Sequence, residues 1–205
     1  MKQFFKCVVL SLLLCVNSAE LLAEDDLSVL RVAGPSRPPG LGNPYSSLPI
    51  GAINPNHVLY DALTIIGDQG VILPGLALSW ESRGESAWVF HLRPDVAFSN
   101  GESFTAQTVV DVITYLRSKD AAGYLIAGET AMIDSASVID DLTVQINTNR
   151  PDAILPKRMA LVAVPEPDLW RTLGPDGFAQ APVGTGSFKL REWGQATGRM
   201  IFDAD

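Results

Sequence analysis

The chain has 205 residues, 47% of them hydrophobic and 19% charged, with 15 basic against 23 acidic residues and a formal charge of −8. That size and composition fit one or two globular domains and exclude disorder, collagen and coiled coil. The acidic balance argues against a phosphate-backbone binder, which needs a basic face.

The first 23 residues have the layout of a secretory signal peptide. Lys2 and Lys6 precede the short apolar run Cys7–Val16, and small residues follow at Asn17-Ser18-Ala19 and at Ala23. The run is too short to cross a bilayer, which takes about 20 apolar residues. Removing it takes Lys2, Lys6 and Glu20 and leaves 13 basic and 22 acidic residues, a charge of −9. Both cysteines, Cys7 and Cys15, lie inside it. The remainder is therefore expected to be held by its core rather than by disulfides. Cys15 is a poor lipid-attachment site, because Leu14 stands where a small residue is needed.

Leu27–Ala33 is a short β-branched run and predicts a first strand. Gly34 to Leu48 is rich in Pro, Gly and Ser, too broken for a helix or a central strand; loops of that length are functional or linkers. Asn54-Pro55 offers a helix start, and Val58, Leu59, Ala62, Leu63 and Ile66 recur at helical spacing, predicting a helix over 54–66. A turn follows at Gly67–Gly70, and Val71–Trp80, with Pro74-Gly75 inside, reads as extended or turning. Trp88–Leu92 predicts a strand with Trp88, Phe90 and Leu92 on one face and Val89 and His91 on the other. Asn100-Gly101 marks a turn. Thr105 then caps a helix with the apolar face Val109, Val110, Val112, Ile113, Leu116 and with Arg117 and Lys119 near its end. Ser137–Asn147 reads as a hairpin about Asp140-Asp141. Ala153–Ala163 predicts a short helix running into a strand, broken by Pro165-Glu166-Pro167. Gly184–Leu190 is a loop entering a strand that ends near Trp193, and Met200-Ile201-Phe202 is strand-like.

No catalytic constellation emerges. His57 and His91 are the only histidines and no cysteine follows residue 15, so a zinc site lacks ligands. Gly184-Thr185-Gly186-Ser187-Phe188 matches neither a nucleophile elbow nor a phosphate loop. Asp140 and Asp141 are adjacent and point to opposite faces of a strand, so they read as a turn and not as an acid–base pair. Trp80, Trp88, Phe90 and Phe98 read as core rather than as a ligand-stacking set. No enzyme activity, cofactor or metal is expected.

Three stretches carry a resemblance. The first is Leu59-Tyr60-Asp61-Ala62-Leu63 with Leu73-Pro74-Gly75-Leu76-Ala77-Leu78-Ser79-Trp80. The second runs from Trp88-Val89-Phe90-His91-Leu92-Arg93 through Ser99-Asn100-Gly101-Glu102 to Thr105-Ala106. The third is Pro182-Val183-Gly184-Thr185-Gly186-Ser187-Phe188-Lys189-Leu190-Arg191-Glu192-Trp193. In order and spacing they resemble the family-5 extracellular solute-binding proteins of ABC transporters, the oligopeptide, dipeptide and nickel binders. The resemblance runs from about Leu27 to Asp205.

The resemblance implies an α/β (mixed α+β) fold: a lobe like that of the type II periplasmic binding proteins, carrying an inserted smaller domain and truncated before the second lobe. It implies a first segment of domain I over 24–54, an inserted small domain over 55–180 and the start of a return segment over 181–205, with Gly184 and Gly186 at a backbone crossing. It implies a periplasmic, monomeric component that captures a peptide or small solute, hands it to an ABC permease in the inner membrane and binds no nucleic acid. The implied ligand contacts are Leu48, Pro49, Ile50 and Gly51, offering backbone groups to an extended peptide, and Tyr124, beyond the Thr105 helix. The alternatives are a truncated remnant without a complete cleft and, from another class, a secreted hydrolase.

Overall fold

The computed structural model describes residues 40, 42–46, 56–194, 197 and 199–205. The expected signal segment and the strand at 27–33 lie outside the described residues.

Alternating β-branched and aromatic residues build the central layer, a four-stranded antiparallel sheet. Its strands are β3 (Ala77–Ser82), β4 (Ala87–Leu92), β5 (Ile133–Asp140) and β6 (Thr143–Thr148), in the order β3-β4-β6-β5. β4 and β6 are central. Trp80, Phe90 and Val144 stand in one row across three strands, and Trp88 pairs with Ile146 in another. Phe90, Val144 and Ile146 are wholly buried. The predicted inward face of β4 is therefore observed at Phe90 and Leu92. Trp88 is only half-buried, with its indole N–H donating to the Asp152 carbonyl at 3.0 Å. Val89, on the opposite face, is buried as well, in a row with Glu81 and Gln145.

The helix after Thr105 packs on this sheet. α2 (Ala106–Leu116) buries Val109, Val112, Ile113 and Leu116, and the Thr108 hydroxyl reaches back to accept from the Thr105 N–H at 3.2 Å. The hairpin β5–β6 turns at Asp140-Asp141 as expected, with the Asp140 carboxylate accepting from the Leu142 N–H at 2.9 Å.

Three expectations change. The helix predicted over 54–66 shrinks to one turn, α1 (Asn56–Leu59), and the chain is extended again by β1 (Thr64–Ile66). The carbonyls of Ala62 and Leu63 accept from the N–H groups of Gly75, Leu76 and Ala77 instead of from a following helical turn. β1 then pairs with β2 (Ile72–Pro74), as suits the β-branched run Thr64-Ile65-Ile66. Tertiary pairing here overrides a helical pattern that short apolar runs imitate. After α4 (Leu155–Met159) no strand follows; residues 160–166 are irregular and touch adjacent segments of the fold through single bonds such as Val164 N–H to Asp61 O at 3.1 Å.

The third change is at Pro165-Glu166-Pro167, which starts a helix rather than only ending one. α5 (Pro167–Gln180) has Pro167 at its first position, and the buried Glu166 carboxylate accepts from the N–H groups of Asp168 at 3.1 Å and Leu169 at 2.7 Å. Gly174, at φ +65, and Pro175 divide α5 into two pieces. Glu166→Ala should lower stability by about 1–2 kcal/mol in urea denaturation, since two N–H groups of the first turn lose their acceptor. Glu166→Gln, which keeps an acceptor, should lose less. Equal losses for the two variants would show that the cap bonds contribute nothing. The remaining hairpin, β7 (Phe188–Gly194) with β8 (Arg199–Ala204), appears where the sequence places it.

Candidate functional site

The return segment is locked against the chain around residue 60. Gly186 N–H donates to the Leu59 carbonyl at 3.0 Å, Ser99 N–H donates to the Gly184 carbonyl at 2.9 Å, and Glu166 N–H donates to the Val183 carbonyl at 3.1 Å. The two glycines allow this approach by lacking a side chain. A Cβ on Gly184 would press into the Leu59 carbonyl oxygen and lie 2.6 Å from the Tyr60 ring; one on Gly186 would lie 2.6 Å from the Leu59 carbonyl carbon. The expected structural role of the glycines is thus explained by close packing of backbone on backbone.

Asp61 sits in this junction, its carboxylate accepting from the Thr185 hydroxyl at 3.1 Å. Burial raises the Asp61 carboxyl above its ordinary 3.8, against the opposing effects of the Thr185 hydroxyl and the Arg93 charge. The folded state therefore holds that proton more tightly than the unfolded chain. The contribution to stability is fully present below pH 3.8 and is lost as pH rises through the raised folded value. Asp61→Asn keeps an acceptor for Thr185 and removes the buried charge. It should melt higher than the parent at pH 7, and the two should converge as the pH is lowered beneath 3.8. A gain of the same size at pH 3 and pH 7 would contradict this origin.

A second junction surrounds Tyr124, the one expected ligand contact that is described; Leu48, Pro49, Ile50 and Gly51 lie outside the described residues. Tyr124 precedes the short helix α3 (Leu125–Glu129). Its hydroxyl accepts from the Asn43 side-chain amide at 3.1 Å, and its ring lies 6.1 Å from that of Tyr45. Tyr45 stacks on Tyr115 at 5.8 Å and meets the edge of Trp170 at 5.1 Å, and Trp170 continues to Phe178 at 5.2 Å. The backbone of 42–45 is tied down at both ends. The Tyr60 hydroxyl donates to the Gly42 carbonyl at 2.6 Å, Gly42 N–H donates to the Ala179 carbonyl at 3.1 Å, and the Tyr45 hydroxyl donates to the Ala163 carbonyl at 3.2 Å.

Asn43, Tyr45 and Trp170 thus belong to the cluster around Tyr124, and the sequence reading passed over them. Tyr45 falls within a Pro/Gly-rich stretch read as loop, and the only available signal was its being the one aromatic residue of that stretch. Burial raises the Tyr45 and Tyr60 hydroxyls well above their ordinary range, and burial beside Tyr124 raises that of Tyr115. These phenols stay neutral at physiological pH. They can hydrogen-bond and pack, but they offer no nucleophile or base. Among the described residues neither histidine side chain hydrogen-bonds to a serine or a carboxylate, and no group of three metal-ligating side chains converges. No described helix is long and apolar enough to cross a membrane.

Residues 71–204 match the bacterial extracellular solute-binding proteins, family 5 middle. The chain belongs to this family. Family-5 proteins similar to it include the periplasmic oligopeptide-binding protein OppA of Escherichia coli, 32% identical over 45% of this chain and 20% of that protein. The nickel-binding periplasmic protein of Escherichia coli is 29% identical over 66% of this chain and 26% of its own length. The chain therefore spans about a quarter or less of the length of these two relatives. Among solved structures, the oligopeptide-binding protein AppA of Bacillus subtilis, in complex with a nonapeptide, shares the fold with a TM-score of 0.68 at 20% identity, covering 85% of this chain and 35% of that one. The fold is thus a mixed α/β one of the type II periplasmic-binding-protein kind, and the family consists of solute-binding proteins rather than enzymes.

Proposed function

We propose that this chain contributes to a periplasmic binding protein that captures a peptide or related small solute and delivers it to an ABC permease in the inner membrane, acting as a monomer and without chemistry of its own. In this reading residues 55–180 form the smaller inserted domain and 181–205 the start of the return to domain I. The ligand contacts are Leu48–Gly51 and Tyr124. The supporting observation is the Asn43–Tyr124 hydrogen bond within the aromatic cluster. It ties the residues just ahead of Leu48 to the one described member of the proposed ligand set, in a chain of the solute-binding family.

The test is calorimetric titration with a mixed pool of di- to pentapeptides, run on the 205-residue chain and on the product of the whole reading frame from which it comes. Binding heat from the whole product, reduced at least tenfold in affinity by Tyr124→Ala, supports the reading. No heat with either protein, or an unchanged affinity in a folded Tyr124→Ala variant, sinks the peptide assignment or the placement of the site, respectively.

A further inference from the structure

Tyr124 is held from two directions, and the second involves residues outside the proposed ligand set. On one side its hydroxyl and ring meet Asn43 and Tyr45. On the other runs α3, a five-residue helix in which Ile126 is the one buried residue. A helix that short has no stability of its own, so its place depends on bonds to its surroundings. Its last carbonyls lack helical N–H partners, and a cationic side chain near the C-terminus can supply donors to them.

Arg158, on α4, supplies such a donor. Its Nη1 donates to the carbonyl of Glu129, the last residue of α3, at 3.0 Å, and its Nε donates to the Asp152 carboxylate at 2.9 Å. One guanidinium thereby ties α4 to a carbonyl 29 residues earlier in the chain. Asp152 is itself fixed. Its other carboxylate oxygen accepts from the Ile154 N–H at 3.1 Å, and its carbonyl accepts from the Trp88 indole of β4. The Asp152 and Arg158 side chains are 6% and 24% exposed, a pair largely withdrawn from water. The Glu129 carboxylate, 3.6 Å from Nη1, is 47% exposed and adds little. Two acceptors at a fixed angle suit the planar guanidinium and not the single ammonium of a lysine.

Ile126 seats α3 on the core, and the Arg158 bond holds the end of the helix opposite Tyr124. We propose that Arg158, anchored by Asp152, is a positioning residue for Tyr124: by clamping the last carbonyl of α3 it fixes how Tyr124 meets Asn43 and Tyr45. Its effect on affinity rests on the reading of Tyr124 as a ligand contact; the clamp itself does not.

Amide hydrogen exchange on the 205-residue chain reads the clamp without any ligand. Arg158→Gln should speed exchange over residues 124–130 on the order of tenfold while residues 87–92 of β4 exchange as in the parent. Phe90→Leu, which weakens the sheet and leaves each of these bonds in place, should not single out 124–130. In the product of the whole reading frame, Arg158→Gln should weaken the affinity for the di- to pentapeptide pool about three- to tenfold. It should add nothing in a Tyr124→Ala background, because both changes act through one side chain. The proposal is overturned if folded Arg158→Gln leaves exchange at 124–130 unchanged, if Phe90→Leu speeds that segment as much, or if Arg158→Gln weakens binding equally with and without Tyr124. Absence of peptide binding by the parent product would instead sink the reading of Tyr124 as a ligand contact, with the clamp still decided by exchange. Should Arg158→Gln not fold, Arg158→Lys keeps a cation for Asp152, gives up the fork and is read in the same way.

Discussion

Phe90→Ala is expected to lower the unfolding free energy by about 3–5 kcal/mol, measured as the shift in a urea transition. Phe90 is fully buried on a central strand, between Trp80 on β3 and Val144 on β6. The Trp80 ring lies 6.4 Å away. Truncation removes the transfer free energy of the ring and leaves a space that two hydrogen-bonded neighbouring strands cannot close. Since single domains are stable by only about 5–15 kcal/mol, such a loss takes a large share of the total. Phe90→Leu, which refills most of the volume, should lose clearly less. A loss below 1 kcal/mol for the alanine variant would mean that the sheet does not form the core as described.

Gly184→Ala should be nearly as damaging through the opposite effect, an added atom rather than a missing one. The new Cβ meets the Leu59 carbonyl oxygen and the Tyr60 ring. A backbone carbonyl cannot swing aside as a side-chain end can, and this one also accepts the Gly186 N–H. The cost should lie at the upper end for overpacking, about 3 kcal/mol. Gly123→Ala is the matching control, because a Cβ there meets nothing within 4 Å and no positive φ is involved. It should be close to neutral in the same urea experiment. If the two variants unfold at the same denaturant concentration, the tight crossing at Gly184 is not a feature of the folded protein.

The parts of the fold that could be read from the sequence were those fixed by local chemistry. Thr105 ahead of an apolar stripe gave α2, and the Asp140-Asp141 pair between alternating residues gave the β5–β6 hairpin. Non-local effects account for the misses. Leu59–Ile66 has helical spacing, yet the carbonyls of Ala62 and Leu63 are taken by the segment Gly75–Ala77, which a helical pattern does not announce. Glu166 looked like part of a proline break, and its capping role shows only once its two carboxylate oxygens are seen on N–H groups of the following turn. At the proposed site, the expectation for Tyr124 came from family likeness alone. Its partners Asn43 and Tyr45 lie about 80 residues upstream, and no spacing rule connects them.

The junction at Gly184 and Gly186 has a consequence for the order in which the chain assembles. The Thr185–Asp61 bond joins residues 124 positions apart, whereas the turns of the β3–β4 and β5–β6 hairpins close within a few residues. Loop-closure entropy must be overcome before such a distant contact gives anything back, so hairpins and α2 can form on their own timescale while the crossing waits for them. The return segment then docks onto a surface that already exists. Its few bonds, to Leu59, Ser99, Glu166 and Asp61, involve no strand of the four-stranded sheet and make it the piece that can detach again without dismantling that sheet.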